Sequence, residues 1–320
     1  MYLQKENETV NRLPGKTEEW AHQLARHAQQ AVLYEAVLFP KPGLVDPVNS
    51  GSHKDMDIFT FMDSASSLYH GFLKFALKGF LHEGDATSLF SDIRMVGMEV
   101  ERDMFQETKG INTHKGVIFS MGIAVAAVAF FIKQRNAHHE EFPLLTAAET
   151  GTVFDLIQQM TEDLISKDFG KLGTKKELTN GEILFIEYGF LGIRGEAEAG
   201  YPSIREVVLP YLRKQEGKRN GYSTKQIYLD ILFQLMSRVE DSTVVFRGGI
   251  EALAYVKKVA TEFLLEGGMR QKDADAKLLF MNEEFCKKRI SPGGSADLLA
   301  VTIFFGKLEK LTLEDEHVCI

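Results

Sequence analysis

The longest apolar run in the chain is Val117–Ile132, where Ser120 is the one hydroxyl among Val, Ile, Phe, Met, Ala and Gly. Its 16 residues fall short of the roughly 20 that a membrane-spanning helix needs and exceed an ordinary strand, so the run predicts a buried core helix. Its neighbours show helical spacing. Trp20, Leu24, Ala28, Ala31 and Val32 predict a helix from about Glu18 to Val37, capped by Thr17 and stopped by Pro40 and Pro42. Asp57 predicts the cap of a helix with the stripe Ile58, Phe61, Met62, Ala65, Leu68, Phe72 and Phe75. Gly84-Asp85 restarts the chain into a helix through about Phe105, and Asn112 or Thr113 is the expected cap of the core helix.

Further helices are expected near 147–166, 180–190, 204–213, 224–240, 250–266 and 272–285, with a last one opening at Ser291–Ser295 and running to about Leu308. Alternating runs are scarce, and Val244–Phe246 is too short to count as a strand. The expected fold is all-α: a flexible polar arm over residues 1–16, then one compact multi-helix domain over 17–320, its helices joined by polar loops.

Composition narrows the function. The chain has 320 residues, 44% of them apolar, and a net charge of −8. The charge argues against general attraction to nucleic acid or to an anionic membrane, so any site for a polyphosphate must gather its positive charge locally. Two cysteines, Cys286 and Cys319, with no C-x-x-C pairing, point to a reducing compartment, no disulfide framework and no zinc site. The N-terminal residues lack the apolar core of a signal peptide, and a cytoplasmic location is expected.

Five glycine-and-polar stretches interrupt the helical pattern. Pro40–Asp57 holds Lys41, Asp46, Asn49, His53, Lys54, Asp55 and Asp57 on a loop stiffened by prolines. Carboxylates there suit Mg²⁺, which takes one or two protein carboxylates and completes its shell with substrate phosphates and water. The same residues also read as a solvated loop with Asp57 as a cap. Gly110-Ile-Asn-Thr-His-Lys-Gly116 feeds the core helix, so Asn112, His114 and Lys115 stand at a helix N-terminus, where free N–H groups and the helix dipole favour an anion. An ordinary capped helix start is the alternative.

Arg194–Ser203, with Arg205 just after it, puts Arg194, Glu196 and Glu198 on one face if extended, or makes Arg194–Glu198 an i,i+4 ion pair if helical. In Asp241–Gly249, Arg247 precedes two glycines and suits bidentate phosphate contact, or the segment is a helix end followed by a turn. Ser291-Pro-Gly-Gly-Ser-Ala-Asp297 brings backbone N–H groups of Gly293, Gly294 and Ser295 toward an anion, or Ser295 simply caps the last helix. Neither a Walker loop nor G-x-G-x-x-G is present.

Taken in order, Pro40-Lys-Pro-Gly-Leu-Val-Asp46 with His53-Lys-Asp-Met-Asp57, Gly110–Gly116, Arg194-Gly-Glu-Ala-Glu-Ala-Gly200, Arg247-Gly-Gly249 and Ser291–Leu299 resemble the triphosphoribosyl-dephospho-CoA synthase family over about residues 30–305. One departure stands out: Asp241-Ser242-Thr243 replaces the family's Asp-Thr-Asn, which removes an amide. The resemblance implies an all-α enzyme that moves the 5-triphosphoribosyl group of ATP onto the 2′-hydroxyl of 3′-dephospho-CoA and releases adenine, with Mg²⁺ accompanying ATP. It implies Asp55, Asp57, Glu196 and Glu198 as catalytic groups, with Asp55, Asp57 and Glu198 as metal ligands. Lys41, Asn112, His114, Lys115, Arg194, Arg205 and Arg247 become phosphate contacts, and Gly293, Gly294 and Ser295 a backbone anion site. The product would serve citrate lyase or malonate decarboxylase through a separate acyl-carrier-protein transferase, for which this chain leaves no room as a fused domain. A homodimer is the expected assembly. A ribosyl hydrolase of the same kind, or a non-catalytic nucleotide or CoA binder, remains open on sequence.

Overall fold

A computed structural model of the chain describes residues 15–135, 141–170, 178–216 and 221–311. Most of the expected N-terminal arm, residues 136–140 of the polar connector and Cys319 lie outside the described residues. Helices α1 (Gly15–Val37), α2 (Ile58–Leu81), α3 (Ala86–Glu107) and α4 (Lys115–Gln134) make up the first part. Then come α5 (Ala147–Met160), α6 (Leu164–Phe169), α7 (Asn180–Tyr188), α8 (Gly192–Glu198), a π-helical turn at Ser203–Val208, and α9 (Leu209–Gln215). The chain finishes with α10 (Thr224–Met236), α11 (Ser242–Leu265), a 3₁₀ turn at Gly268–Arg270, α12 (Ala274–Lys288) and α13 (Gly293–Leu308). No strand occurs among the described residues.

The core helix predicted from Val117–Ile132 is α4. It packs against α1, α2, α3, α5 and α13, and α1 in turn packs on α2 and α13. The run Ala124, Ala126, Ala127 and Ala129 is fully buried, which lets neighbouring helices approach closely. The helix is long and apolar enough to cross a membrane, yet 78% of its most apolar window is buried inside the protein. Phe72 and Phe75 of α2 and Phe304 and Phe305 of α13 fill the space around it. Each such ring contributes roughly 1.5–3 kcal/mol by leaving water.

Local chemistry sets the helix starts. Asp57 and Thr60 form a reciprocal capping box on α2, Asp85 caps α3 through Ser88 N–H, and Thr146–Glu149 and Thr179–Glu182 do the same for α5 and α7. Several boundaries differ from the sequence reading. α1 begins at Gly15, so Thr17 lies inside it. The residue at the start of α4 is His114, which makes no side-chain cap bond, because the Thr113 hydroxyl is engaged by Ser64 of α2 instead. Asp163, at φ 61°, separates α5 from α6 within the expected 147–166 helix. Asp241–Gly249 begins a helix, where a helix end was one of the two readings: α11 starts at Ser242 and kinks at Gly249. Gly249 has φ 76° and ψ 178°, a backbone that glycine accepts without strain. Ser295 lies within α13 and does not cap it.

Candidate active site

The N-terminus of α4 opens into a cleft. It is lined by the Pro40–Asp57 loop, the start of α4, Thr243 of α11 and the start of α13. Four of the five sequence stretches therefore meet here.

Glu35 and Lys41 make the deepest ion pair, 5% and 1% exposed. Lys41 Nζ lies 2.5 Å from Glu35 Oε1 and donates to the Glu35 carbonyl at 2.7 Å. Taking both charges out of water is costly, and only close pairing with extra hydrogen bonds offsets it. Lys41 lines the cleft as expected, but its charge is largely matched by Glu35.

His114 is buried beside this pair. Its Nδ1 lies 2.7 Å from Ser64 Oγ, and Thr113 Oγ1 donates to Ser64 at 2.6 Å. Ser64 accepts from Thr113, and we assign its own proton to His114 Nδ1, which leaves Nε2–H as the free donor. That Nε2 is buried and has no protein partner. Phe61 packs edge-on against the ring at 4.9 Å between centroids. Burial, then the Lys41 charge, lowers the imidazole pKa to about 3, so it is neutral at physiological pH.

Asp297 closes the opposite wall. Desolvation, with the Asp241 and Glu35 charges nearby, pushes its carboxyl well above the usual carboxylate range, although the Val117 N–H donates to it. A Cβ on Gly116 would stand 1.9 Å from Asp297 Oδ2. Only glycine at 116 lets the carboxylate reach the first turn of α4.

The remaining predicted residues divide. Asn112, Lys115 and Gly293 line the same cleft, and Lys115 pairs with Glu101 at 2.9 Å. Arg247 donates to the Ser52 and Arg289 carbonyls and to His53 Nδ1, while His53 Nε2 meets Ser291 Oγ at 2.9 Å. Arg247 thus fastens the loop at the cleft mouth. Burial and then the Arg247 charge lower His53 to a pKa of about 4. Asp55 is exposed at the rim, 3.9 Å from His53.

The other expected site residues lie apart from this cleft or are bonded elsewhere. Asp57 is exposed and committed to capping α2, its pKa lowered by those Thr60 bonds. Glu196 accepts from Ser203 N and Oγ, which closes the turn after α8, and Glu198 accepts from Ile165 N at the start of α6. Neither lines the cleft. The Arg194–Glu198 pair does not form; Arg194 bonds Asp168 at 2.7 Å and borders a second cleft. Arg205 pairs with Asp155 away from both. The Gly294 and Ser295 N–H groups do hold an anion, but it is the buried Asp241 carboxylate.

Sequence reading missed Glu35, Phe61 and Asp297 as cleft groups, and Ser64 as the buried partner of His114 behind them. Glu35 and Asp297 carried a usable signal: each is an acid on an otherwise apolar helix face beside a glycine- or proline-rich turn. Ser64 carried none, since its role depends on the α2–α4 packing. Thr243, where the family departure falls, lines the cleft and would present a hydroxyl and a methyl.

Comparison with known proteins gives the family. Residues 21–315 match the family described as CitG: ATP:dephospho-CoA triphosphoribosyl transferase. A Streptococcus equi subsp. equi protein is 40% identical over 287 residues, covering 89% of this chain and 96% of its own length. Relatives from Streptococcus mutans and Streptococcus pyogenes are 37% and 39% identical, covering 92% and 90% of this chain and 99% and 97% of their own. All three carry the description probable 2-(5''-triphosphoribosyl)-3'-dephosphocoenzyme-A synthase. No solved structure matches the chain. With nearly its whole length matched, and four of its five glycine-rich stretches meeting in one cleft, the chain belongs to the CitG family of ATP:dephospho-CoA triphosphoribosyl transferases.

Proposed function

We propose that the cleft at the start of α4 is where this transferase breaks the ribose–adenine bond of ATP and joins the freed anomeric carbon to the 2′-oxygen of 3′-dephospho-CoA. The observation that carries this reading is the meeting of a carboxyl with a raised pKa, a neutral buried imidazole with a free N–H, and a helix N-terminus in one cleft.

The chemistry needs three things. Positive charge develops at the anomeric carbon as adenine leaves, as in glycoside cleavage. The acceptor hydroxyl must lose a proton. The triphosphate survives as a handle that fixes the sugar. Asp297 suits the second task, because a carboxylate whose pKa is raised by burial is a stronger base than a solvated one. In the balanced step the 2′-oxygen forms the new C–O bond, its proton goes to Asp297, and the C–N bonding pair leaves with adenine. The ionised Asp297 carboxylate, rather than Glu35, whose charge Lys41 matches, supplies negative potential for the developing charge. His114 Nε2–H donates to substrate oxygen without bringing a charge of its own. Asn112, Lys115 and the first N–H groups of α4 face the triphosphate, and the Phe61 ring offers a flat apolar surface for the base.

Magnesium enters with ATP. Among the described residues no group of three or more acids, histidines or cysteines stands ready to hold a metal, so a cage built from protein alone does not fit. One exposed rim carboxylate, Asp55, fits an ion whose shell is completed by phosphate and water, and the ion would supply charge neutralisation on the phosphates. We further read the product as passing to a separate acyl-carrier-protein transferase serving citrate lyase or malonate decarboxylase, and the protein as a cytoplasmic homodimer.

Mass spectrometry of a reaction with MgATP and dephospho-CoA tests the reading. Free adenine and a product heavier than dephospho-CoA by the triphosphoribosyl group are expected. Formation of ADP or pyrophosphate without adenine would overturn it.

A further inference from the structure

A second cleft lies between α2, α3 and α4. Its walls are the Phe75, Phe90, Ile93 and Phe119 side chains, with Met98 exposed at the rim. Its charged groups are Arg94, Arg194, Asp168 and Glu101. Asp168 Oδ1 accepts from Arg94 and Oδ2 from Arg194, each at 2.7 Å. Two cations and two anions leave the cleft formally neutral, so nothing in it selects a triphosphate. Its ligand is a neutral, largely apolar chain with a few polar groups for the arginine wall.

The two clefts touch. Lys115 lines the first and Glu101 the second, and they form one ion pair. A ligand whose reacting ribose lies in the first cleft reaches the second by passing its diphosphate over Lys115. Of the two substrates, only dephospho-CoA continues beyond a diphosphate into a neutral arm, the pantetheine chain with its gem-dimethyl group and two amides. Resting on the transferase reading above, we infer that the α2–α3–α4 cleft binds the pantetheine arm of dephospho-CoA and so distinguishes the acceptor from ATP.

Gly97 gives the test. It lies within α3 and lines this cleft, and a Cβ built on it would meet nothing nearer than Phe75 Cζ at 3.9 Å. Gly97→Leu therefore fills the cleft from an open position, and replacing a mid-helix glycine favours the helix. The experiment titrates dephospho-CoA and ADP, which is the same nucleotide without the arm, into wild type and Gly97→Leu. Wild type is expected to bind dephospho-CoA at least about tenfold more tightly than ADP, from burial of the arm. Gly97→Leu should remove that preference, leave ADP affinity within about twofold, and keep the melting temperature at or above wild type. Equal binding of the two ligands by wild type, or a preference that survives the substitution, would overturn the inference. Adenine release from MgATP is followed separately, so loss of the transferase reading would appear there and not in the binding difference.

Discussion

Asp297 occupies the space that any side chain at residue 116 would need: a Cβ on Gly116 would stand 1.9 Å from its Oδ2. The pair joins the start of α4 to α13 and brings a carboxyl with a raised pKa to the cleft wall. Asp297→Asn keeps the shape and removes the ionisation. Turnover should fall by about 100-fold or more, as for loss of a positioned acid–base group.

Stability should move the other way. A carboxyl whose folded pKa lies above its unfolded value binds its proton more tightly in the native state than in the unfolded chain, so its contribution is greatest at acid pH and is lost as pH rises from about 4, where the unfolded chain ionises first. The melting temperature of Asp297→Asn relative to wild type should therefore climb between pH 4 and 8. A parallel pair of melting curves across that range would show that Asp297 carries no such burden.

His114 and His53 behave oppositely to Asp297. Their pKa values, about 3 and about 4, lie below the usual histidine value. Each favours the native state fully above pH 6.5 and loses that contribution as pH falls toward the folded value, because the unfolded chain takes up the proton first. Acid melting between pH 6.5 and 4 should be blunted in His114→Gln. The profile of kcat/KM should show no inflection near 6.5 from either ring.

Ser64→Ala tests the relay behind His114. Without the hydroxyl, Nδ1 loses its donor and the Nε2–H tautomer is no longer selected. A loss of about 5- to 20-fold in kcat/KM for ATP is expected, corresponding to one neutral hydrogen bond or somewhat more. Serine-to-threonine at this position should recover part of it if the γ-methyl is tolerated. Unchanged kinetics in Ser64→Ala would make the hydroxyl a packing feature.

Lys115→Ala and Glu198→Gln form a contrasting pair. Lys115 is half-exposed, and its pair with Glu101 is worth little to stability. Its loss should weaken ATP binding by roughly 10- to 150-fold, the worth of a charge-assisted contact, with little change in melting temperature. Glu198 accepts from Ile165 N outside the cleft, and glutamine keeps an acceptor oxygen there. Turnover in that variant should stay within a few-fold of wild type. Calorimetric titration with MgATP and steady-state kinetics separate the two.

The helices were legible in the chain wherever a stripe met a cap, as at Asp57–Phe75 and at Val117–Ile132. The site was legible as motifs, because glycine, proline and polar residues punctuate the apolar pattern at the places that gather around α4. What could not be read was the partner of each charge. Lys41 reads as a phosphate ligand until Glu35, one turn back in the preceding helix, is seen to face it. Arg194 and Glu198 have ideal spacing for each other, yet packing of α6 beside α8 offers Asp168 to one and the Ile165 N–H to the other. Charges pair by tertiary proximity, and spacing along one helix reports only one of the candidates.

The Asp241 carboxylate receives N–H groups from the first turns of both α11 and α13, from Thr243 and Val244 on one side and Gly294 and Ser295 on the other. Two positive helix ends would otherwise confront each other across a buried gap. The carboxylate is a tethered counter-ion, and like any counter-ion it can be exchanged. Removing it by Asp241→Ala would leave a vacancy shaped for a small oxyanion, so that variant should gain a dependence on free sulfate or phosphate that the wild-type chain has internalised.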